Sequence, residues 1–178
     1  MKGRGEISDG RRSIRVKGFD YSQDGAYYVT ICTHRRECTL GSVKGNAVQL
    51  TELGRAAEES WQDLPVRYPH LTLDALVVMP NHVHVILVID GTECRGGGAT
   101  PPLQSDPTLG QIVGYTKYQS TKRINERRGT PGERVWQRNY YEHIIRNDAD
   151  LRRIREYIAS NPLGWSEDPE NPNSQSQT

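Results

Sequence analysis

His82-Val83-His84 opens an apolar run. Residues two apart on a β-strand point to the same face, so both imidazoles can reach one metal ion. Imidazole suits zinc, manganese, iron or copper, and a pair leaves positions open for a third ligand, water or a phosphate oxygen. The same spacing also describes two ordinary sheet histidines. Neither an H-E-x-x-H motif nor a carboxylate cluster stands near the pair, which disfavours a metalloprotease. A second pairing lies in the segment REYIASNP. On a helix turning about 100° per residue, Leu151, Ile154 and Ile158 form an apolar stripe and Tyr157 sits at its boundary. Asn161 comes one turn later, so a phenol and an amide project side by side. One reading is a half-buried packing tyrosine followed by a helix-terminal cap. The other is a nucleophile beside a ligand.

The elements that must position these groups follow from periodicity. AYYVTICTH, residues 26–34, is rich in β-branched and aromatic types and predicts the first strand, and a short second strand is expected near residues 46–50. Thr51 caps an expected helix carrying Leu53, Ala56, Ala57, Trp61 and Leu64 at helical spacing, stopped by Pro65 and Pro69. LTLDALVVM and HVHVILVID, separated by Pro80-Asn81, read as a central hairpin. The Gly- and Pro-containing stretch 91–107 reads as a flexible connection. A helix is expected from Thr108 to about residue 128. After YYEHII, a final helix starts near Asn147, with Asn147 and Asp150 as a capping pair and Asn161-Pro162 as its close. This order lacks regular βα alternation and indicates an α+β domain with a mainly antiparallel sheet.

The 178 residues fit one domain with a real core. Its expected parts are a basic flexible arm over 1–20, a folded domain over 21–163 and a disordered polar tail over 164–178. Cys32, Cys38 and Cys94 are odd in number and form no C-x-x-C pair, so they suggest neither a disulfide framework nor a zinc knuckle and fit a reducing cytosol. No apolar run reaches the length of a membrane span, and the expectation is a soluble, cytoplasmic protein with no membrane partner. The net charge of +1 hides a strong pattern. Residues 1–17 carry six basic and two acidic groups, residues 18–110 six and eleven, and residues 111–156 eleven and six. Two basic zones around an acidic middle suggest a polyanion bound along one surface, although a solvated charged helix fits equally.

VVMPNHVHVILV, then VWQRNYYEHIIRN, then REYIASNP, together with the opening SIRVKGFDYSQDGAYYVTICTHRREC, resemble the HUH single-tyrosine transposases. Among these the chain is most similar to the REP-associated tyrosine transposases, over about residues 12–163. The resemblance implies a ferredoxin/RRM-like antiparallel sheet, with helices packed on one face and the active site on the other. It implies a metal-dependent endonuclease and strand-transferase acting on single-stranded or hairpin DNA, cytoplasmic and nucleoid-associated, and working as monomer or homodimer. His82, His84 and Asn161 would hold divalent Mg2+ or Mn2+, and Tyr157 would be the nucleophile. Many insertion-sequence relatives carry Gln where this chain has Asn161, one methylene shorter. Tyr115, Tyr140 and Tyr141 compete as nucleophiles but lack the helical tyrosine-to-asparagine spacing. His143 and Arg146 are candidates for support of the site. Lys117, Lys122, Arg123, Arg127 and Arg138 are candidates for tracking a DNA backbone, with Tyr118 or Trp136 for base stacking. Two other readings stay open: a hairpin-binding regulator that does not cut, and a hydrolase that uses bound water.

Overall fold

The computed structural model describes residues 24–90, 107–168, 170–172 and 174. The expected basic arm, and all but the last residue of the 91–107 connection, lie outside them. The chain runs through β1 (Gly25–Cys32), a 3-10 turn (His34–Arg36), β2 (Gly41–Lys44), β3 (Ala47–Leu50), α1 (Glu52–Gln62) and α2 (Leu64–Arg67). It continues through β4 (Leu71–Val78), β5 (His82–Ile89), α3 (Leu109–Arg128), β6 (Tyr141–Ile145), α4 (Asp148–Ser160) and a last 3-10 turn (Trp165–Glu167). Among the described residues no helix is long and apolar enough to cross a membrane.

Four strands form one antiparallel sheet in the order β4-β5-β1-β6. With α1 between β1 and β4 and α3 between β5 and β6, this is the ferredoxin-like βαββαβ arrangement. β2 and β3 form a separate hairpin where the sequence suggests a single strand. A two-residue turn with Gly45 at φ 60 reverses the chain there, and four-residue strands are too short to show alternation.

Strand alternation sorts the side chains onto two faces. Val29, Ile31, Val83, Val85 and Leu87 point to one face, where Trp61 of α1 and Leu109, Ile112, Val113 and Ile124 of α3 cover them. Each such buried aliphatic chain contributes roughly 1.5–3 kcal/mol over its exposed state. Gly54 lets α1 approach closely: a Cβ there would stand 2.0 Å from the Leu40 carbonyl oxygen. Thr108 and Gln111 form a capping box at the start of α3, and Gly129 closes it in the left-handed region at φ 68.

The opposite face carries Tyr28 and Ile86, covered by Ile154 and Ile158 of α4 with Leu151 beside them. Thus α1 and α3 pack on one face, and α4 lies over the other. The Asn147 side chain accepts from the Asp150 N–H and starts α4 as the sequence suggests. Two polar ties then fix the helix across the sheet. At the β6 edge, His143 Nε2 meets Asp150 Oδ2 at 2.7 Å. At the β4 edge, Arg155 donates to both carboxylate oxygens of Asp74. The β4–β5 register slips between Leu73 and Ala75, and this bulge at Asp74 frees its carboxylate to reach α4.

Part of the expected disordered tail, residues 164–168, 170–172 and 174, falls among the described residues. The described part turns back onto the domain, with Asp168 and Asn171 each 6% exposed. Its polarity reads as solvation in the sequence. In the fold its polar groups find partners: Asp168 accepts from Glu170 N, and Asn171 donates to the Trp165 carbonyl.

Candidate metal and tyrosine site

His82 and His84 stand at the start of β5 on the α4 face, paired across the ladder with Cys32 and Thr30. Both are buried and their ring centroids are 4.4 Å apart. The Nδ1 atom of each ring is engaged. His82 Nδ1 lies 2.9 Å from Asn81 Oδ1, while Asn81 Nδ2 donates to the Arg36 and Glu170 carbonyls. The amide oxygen is therefore the acceptor, and the network assigns the His82 proton to Nδ1. His84 Nδ1 lies 2.8 Å from the Tyr28 hydroxyl and 2.7 Å from Thr30 Oγ1, either of which can take its proton.

The two Nε2 atoms are buried without a hydrogen-bond partner, and so is Asn161 Oδ1. Asn161 is 4% exposed, and its Nδ2 donates to Asp168 Oδ2 at 3.2 Å, which turns the amide oxygen away from that carboxylate. Unpaired buried polar atoms are costly and rare in native folds. Here two imidazole nitrogens and an amide oxygen are left so at once, and they are the donor types of an N/O-ligated divalent ion. These residues fit the metal that the family resemblance implies.

Electrostatics favours the same state. Burial, reinforced by the His82 charge, pushes the His84 pKa down to about 2. Burial also lowers that of His82, against the opposing charges of Asp168 and Glu170. Neutral imidazoles are the form that ligates metal.

Tyr157 reaches this place from α4. Its ring centroid is 5.4 Å from that of His84 and 6.3 Å from that of Tyr28, and the residue is 43% exposed. Burial and then the Asp168 charge raise its pKa above the ordinary phenol value, with the neighbouring Asn161 and Tyr28 side chains opposing. At neutral pH the phenol keeps its proton. Tyr28 is raised as well, chiefly by burial, so it serves as a neutral hydrogen-bonding group.

The remaining candidates separate into those near the site and those elsewhere. Tyr141 pairs with Thr30 on the site face, half exposed, with its ring 6.1 Å from Tyr28. His143 shares that face and is held by Asp150, whose pKa is lowered by His143 first and Arg153 second. Arg146 is exposed at the start of the β6–α4 link.

The cations of the basic helix are in part engaged within the fold. Arg123 pairs with Asp63 at 2.5 Å, and Arg127 pairs with Glu59 at 2.6 Å and donates to the Glu52 carbonyl. Lys117 Nζ donates to the carbonyls of Gln137, Arg138 and Asn139, and burial lowers its pKa to about 8. These groups tie α3 to its neighbours on the face opposite the histidines, the two arginines through carboxylates and Lys117 through neutral carbonyls. Lys122 meets Glu126 at 4.0 Å, and Arg138 is exposed. Trp136 is buried and donates to Ser120 Oγ, which removes it as a stacking platform, whereas Tyr118 is 66% exposed. Tyr115 packs against Tyr68, and Tyr140 packs against the α1/α3 core.

Sequence reasoning missed Asn81, Tyr28, Thr30 and Asp168. Asn81 reads only as a turn residue. Pairing the first strand with the histidine strand would have found Tyr28 and Thr30, which alternate onto the histidine face. Nothing in the tail's composition signals Asp168.

Comparison with known proteins returns the same group. No family model matches the chain. An uncharacterized protein of Haemophilus influenzae is 38% identical over 168 residues, covering 89% of this chain and 91% of the relative, and the chain belongs to one family with it. A second Haemophilus influenzae protein, named "Putative REP-associated tyrosine transposase", is 24% identical over 152 residues, covering 81% of this chain and 73% of that protein. A solved REP-associated tyrosine transposase bound to a REP hairpin shares the fold, with a TM-score of 0.53 and 21% identity, over 82% of this chain and 70% of its own. The resemblance read from the sequence is thus found again in a curated relative and in a solved fold.

Proposed function

We propose that this chain, which shares fold and sequence resemblance with the REP-associated tyrosine transposases, is a metal-dependent single-stranded DNA endonuclease and strand-transferase that cuts through Tyr157. One observation carries the reading: three buried atoms without partners, His82 Nε2, His84 Nε2 and Asn161 Oδ1, lie on the sheet face to which α4 brings a half-exposed tyrosine.

His82, His84 and Asn161 would hold a divalent ion, Mg2+ or Mn2+. What such an ion supplies when bound is Lewis-acid neutralisation of charge on the phosphate oxygens. The protein does the rest. Asn81, Tyr28 and Thr30 engage the two Nδ1 atoms and leave both Nε2 atoms available as ligands. Asp168 orients the Asn161 amide. Tyr157 supplies the attacking oxygen: a phenolate–phosphorus bond forms, the bond from phosphorus to the 3′ oxygen breaks, and a free 3′-hydroxyl leaves. The phenol, held protonated beforehand, gives up its proton as the new bond forms, and the departing 3′ oxygen takes one up, so no net proton is gained or lost. The product is a 5′-phosphotyrosine, and attack by a second 3′-hydroxyl reverses the step and joins strands.

A hairpin single strand incubated with the protein and Mn2+ or Mg2+ should give a protein–DNA species that survives denaturation. Tyr157→Phe should abolish it while DNA binding and thermal stability stay unchanged. Binding with no adduct in the native chain would move the assignment to a non-cutting hairpin binder. Cleavage that persists in Tyr157→Phe would indicate a water-using hydrolase.

A further inference from the structure

Asp168 stands in the same cluster as the two histidines, although it is far from them in sequence. One ligand atom from each of His82, His84 and Asp168 lies within 4.8 Å of the other two. The carboxylate is 6% exposed and accepts only from neutral groups: Asn161 Nδ2 at 3.2 Å and the Glu170 N–H at 2.7 Å. Among the described residues no lysine or arginine forms an ion pair with it. A buried carboxylate without a cation is expensive, and hydrogen bonds from neutral donors offset only part of that cost. The missing positive charge and the unpartnered nitrogens therefore point to one occupant.

We infer that Asp168 is a direct ligand of the divalent ion held by His82, His84 and Asn161, a carboxylate donated by the segment that follows the tyrosine helix. The inference rests on the metal-site reading above and deepens it. Without Asp168 the donors are two imidazoles and an amide, all neutral. With it, the site gains one formal negative charge and a hard oxygen donor, which shifts its chemistry toward oxygen-preferring divalent ions. The 3.2 Å bond to Asn161 gives the carboxylate a second effect, because its other partner is the amide whose oxygen completes the set.

The test is Mn2+ binding to the full chain without DNA, followed by the electron paramagnetic resonance signal of free Mn2+. The native chain should bind one ion, and His82→Ala should bind none. Asp168→Asn keeps an oxygen that can accept from Asn161 but removes the charge. It should weaken binding by more than about 100-fold, beyond the roughly 10–100-fold typical of a residue that only orients a ligand. A smaller loss, or none, overturns direct ligation. Anomalous scattering from a Mn2+-soaked crystal of the native chain gives a second measurement that needs no variant: an Asp168 oxygen in the coordination sphere supports the inference, and one outside it ends it. If the native chain binds no Mn2+, the metal-site reading itself fails and takes Asp168 with it. If the native chain binds, His82→Ala does not and Asp168→Asn matches the native chain, only the role of Asp168 falls.

Discussion

The two faces of the sheet are built from alternate residues of the same strands, yet they solve opposite problems. Under α1 and α3, Val29, Ile31, Val83, Val85 and Leu87 meet Trp61 and Ile112 in a dry apolar layer. Under α4, the residues between them are Tyr28, Thr30, His82 and His84, where Tyr28 and Thr30 bond to His84, Asn81 bonds to His82, and ligating atoms stay unpartnered. The first face contributes the stability that the second gives up to polar atoms held ready for chemistry. β5 makes the point within three residues, where Val83 is core and its neighbours on both sides are site.

Three experiments test that division, from the largest expected effect to the smallest. Trp61→Ala opens a cavity in the dry layer and should lower unfolding free energy by about 3–5 kcal/mol in a urea titration, with the metal site unchanged in the protein that remains folded. A loss below about 1 kcal/mol would mean that the α1/α3 face is not the main source of stability. Adding Mn2+ at about a hundred times its dissociation constant should stabilise the native chain by about 2.7 kcal/mol in thermal unfolding. The double variant His82→Ala/His84→Ala should lose that gain completely, and a retained gain would place the ion elsewhere. Arg127→Ala removes a partly exposed pair on the α1/α3 face and should cost under about 1 kcal/mol. It should also leave the salt dependence of DNA binding unchanged, and a flatter slope would return α3 to the DNA interface.

What could be read in the sequence was whatever repeats locally. Strand alternation located β1, β4 and β5, helical spacing and side-chain caps located α1, α3 and α4, and the one-turn offset of Tyr157 from Asn161 indicated that they project together. The charge pattern showed charges but not their pairing. Arg123 and Arg127 count as basic along the chain, but Asp63 and Glu59 answer them across the α1–α3 contact, about sixty residues away in sequence. The tail's polar composition carries no periodicity, so Asp168 became visible only once the fold had brought it beside β5.

Only Arg146 and Asn147 separate the last residue of β6 from the first of α4. So short a tether holds α4 over the sheet of its own chain, where the Tyr157 ring stands 5.4 Å from that of His84. Under the proposed chemistry, a chain with one nucleophile handles its two DNA ends in succession. The first remains attached to the enzyme until the second arrives, and the lifetime of that linkage would set the pace of exchange.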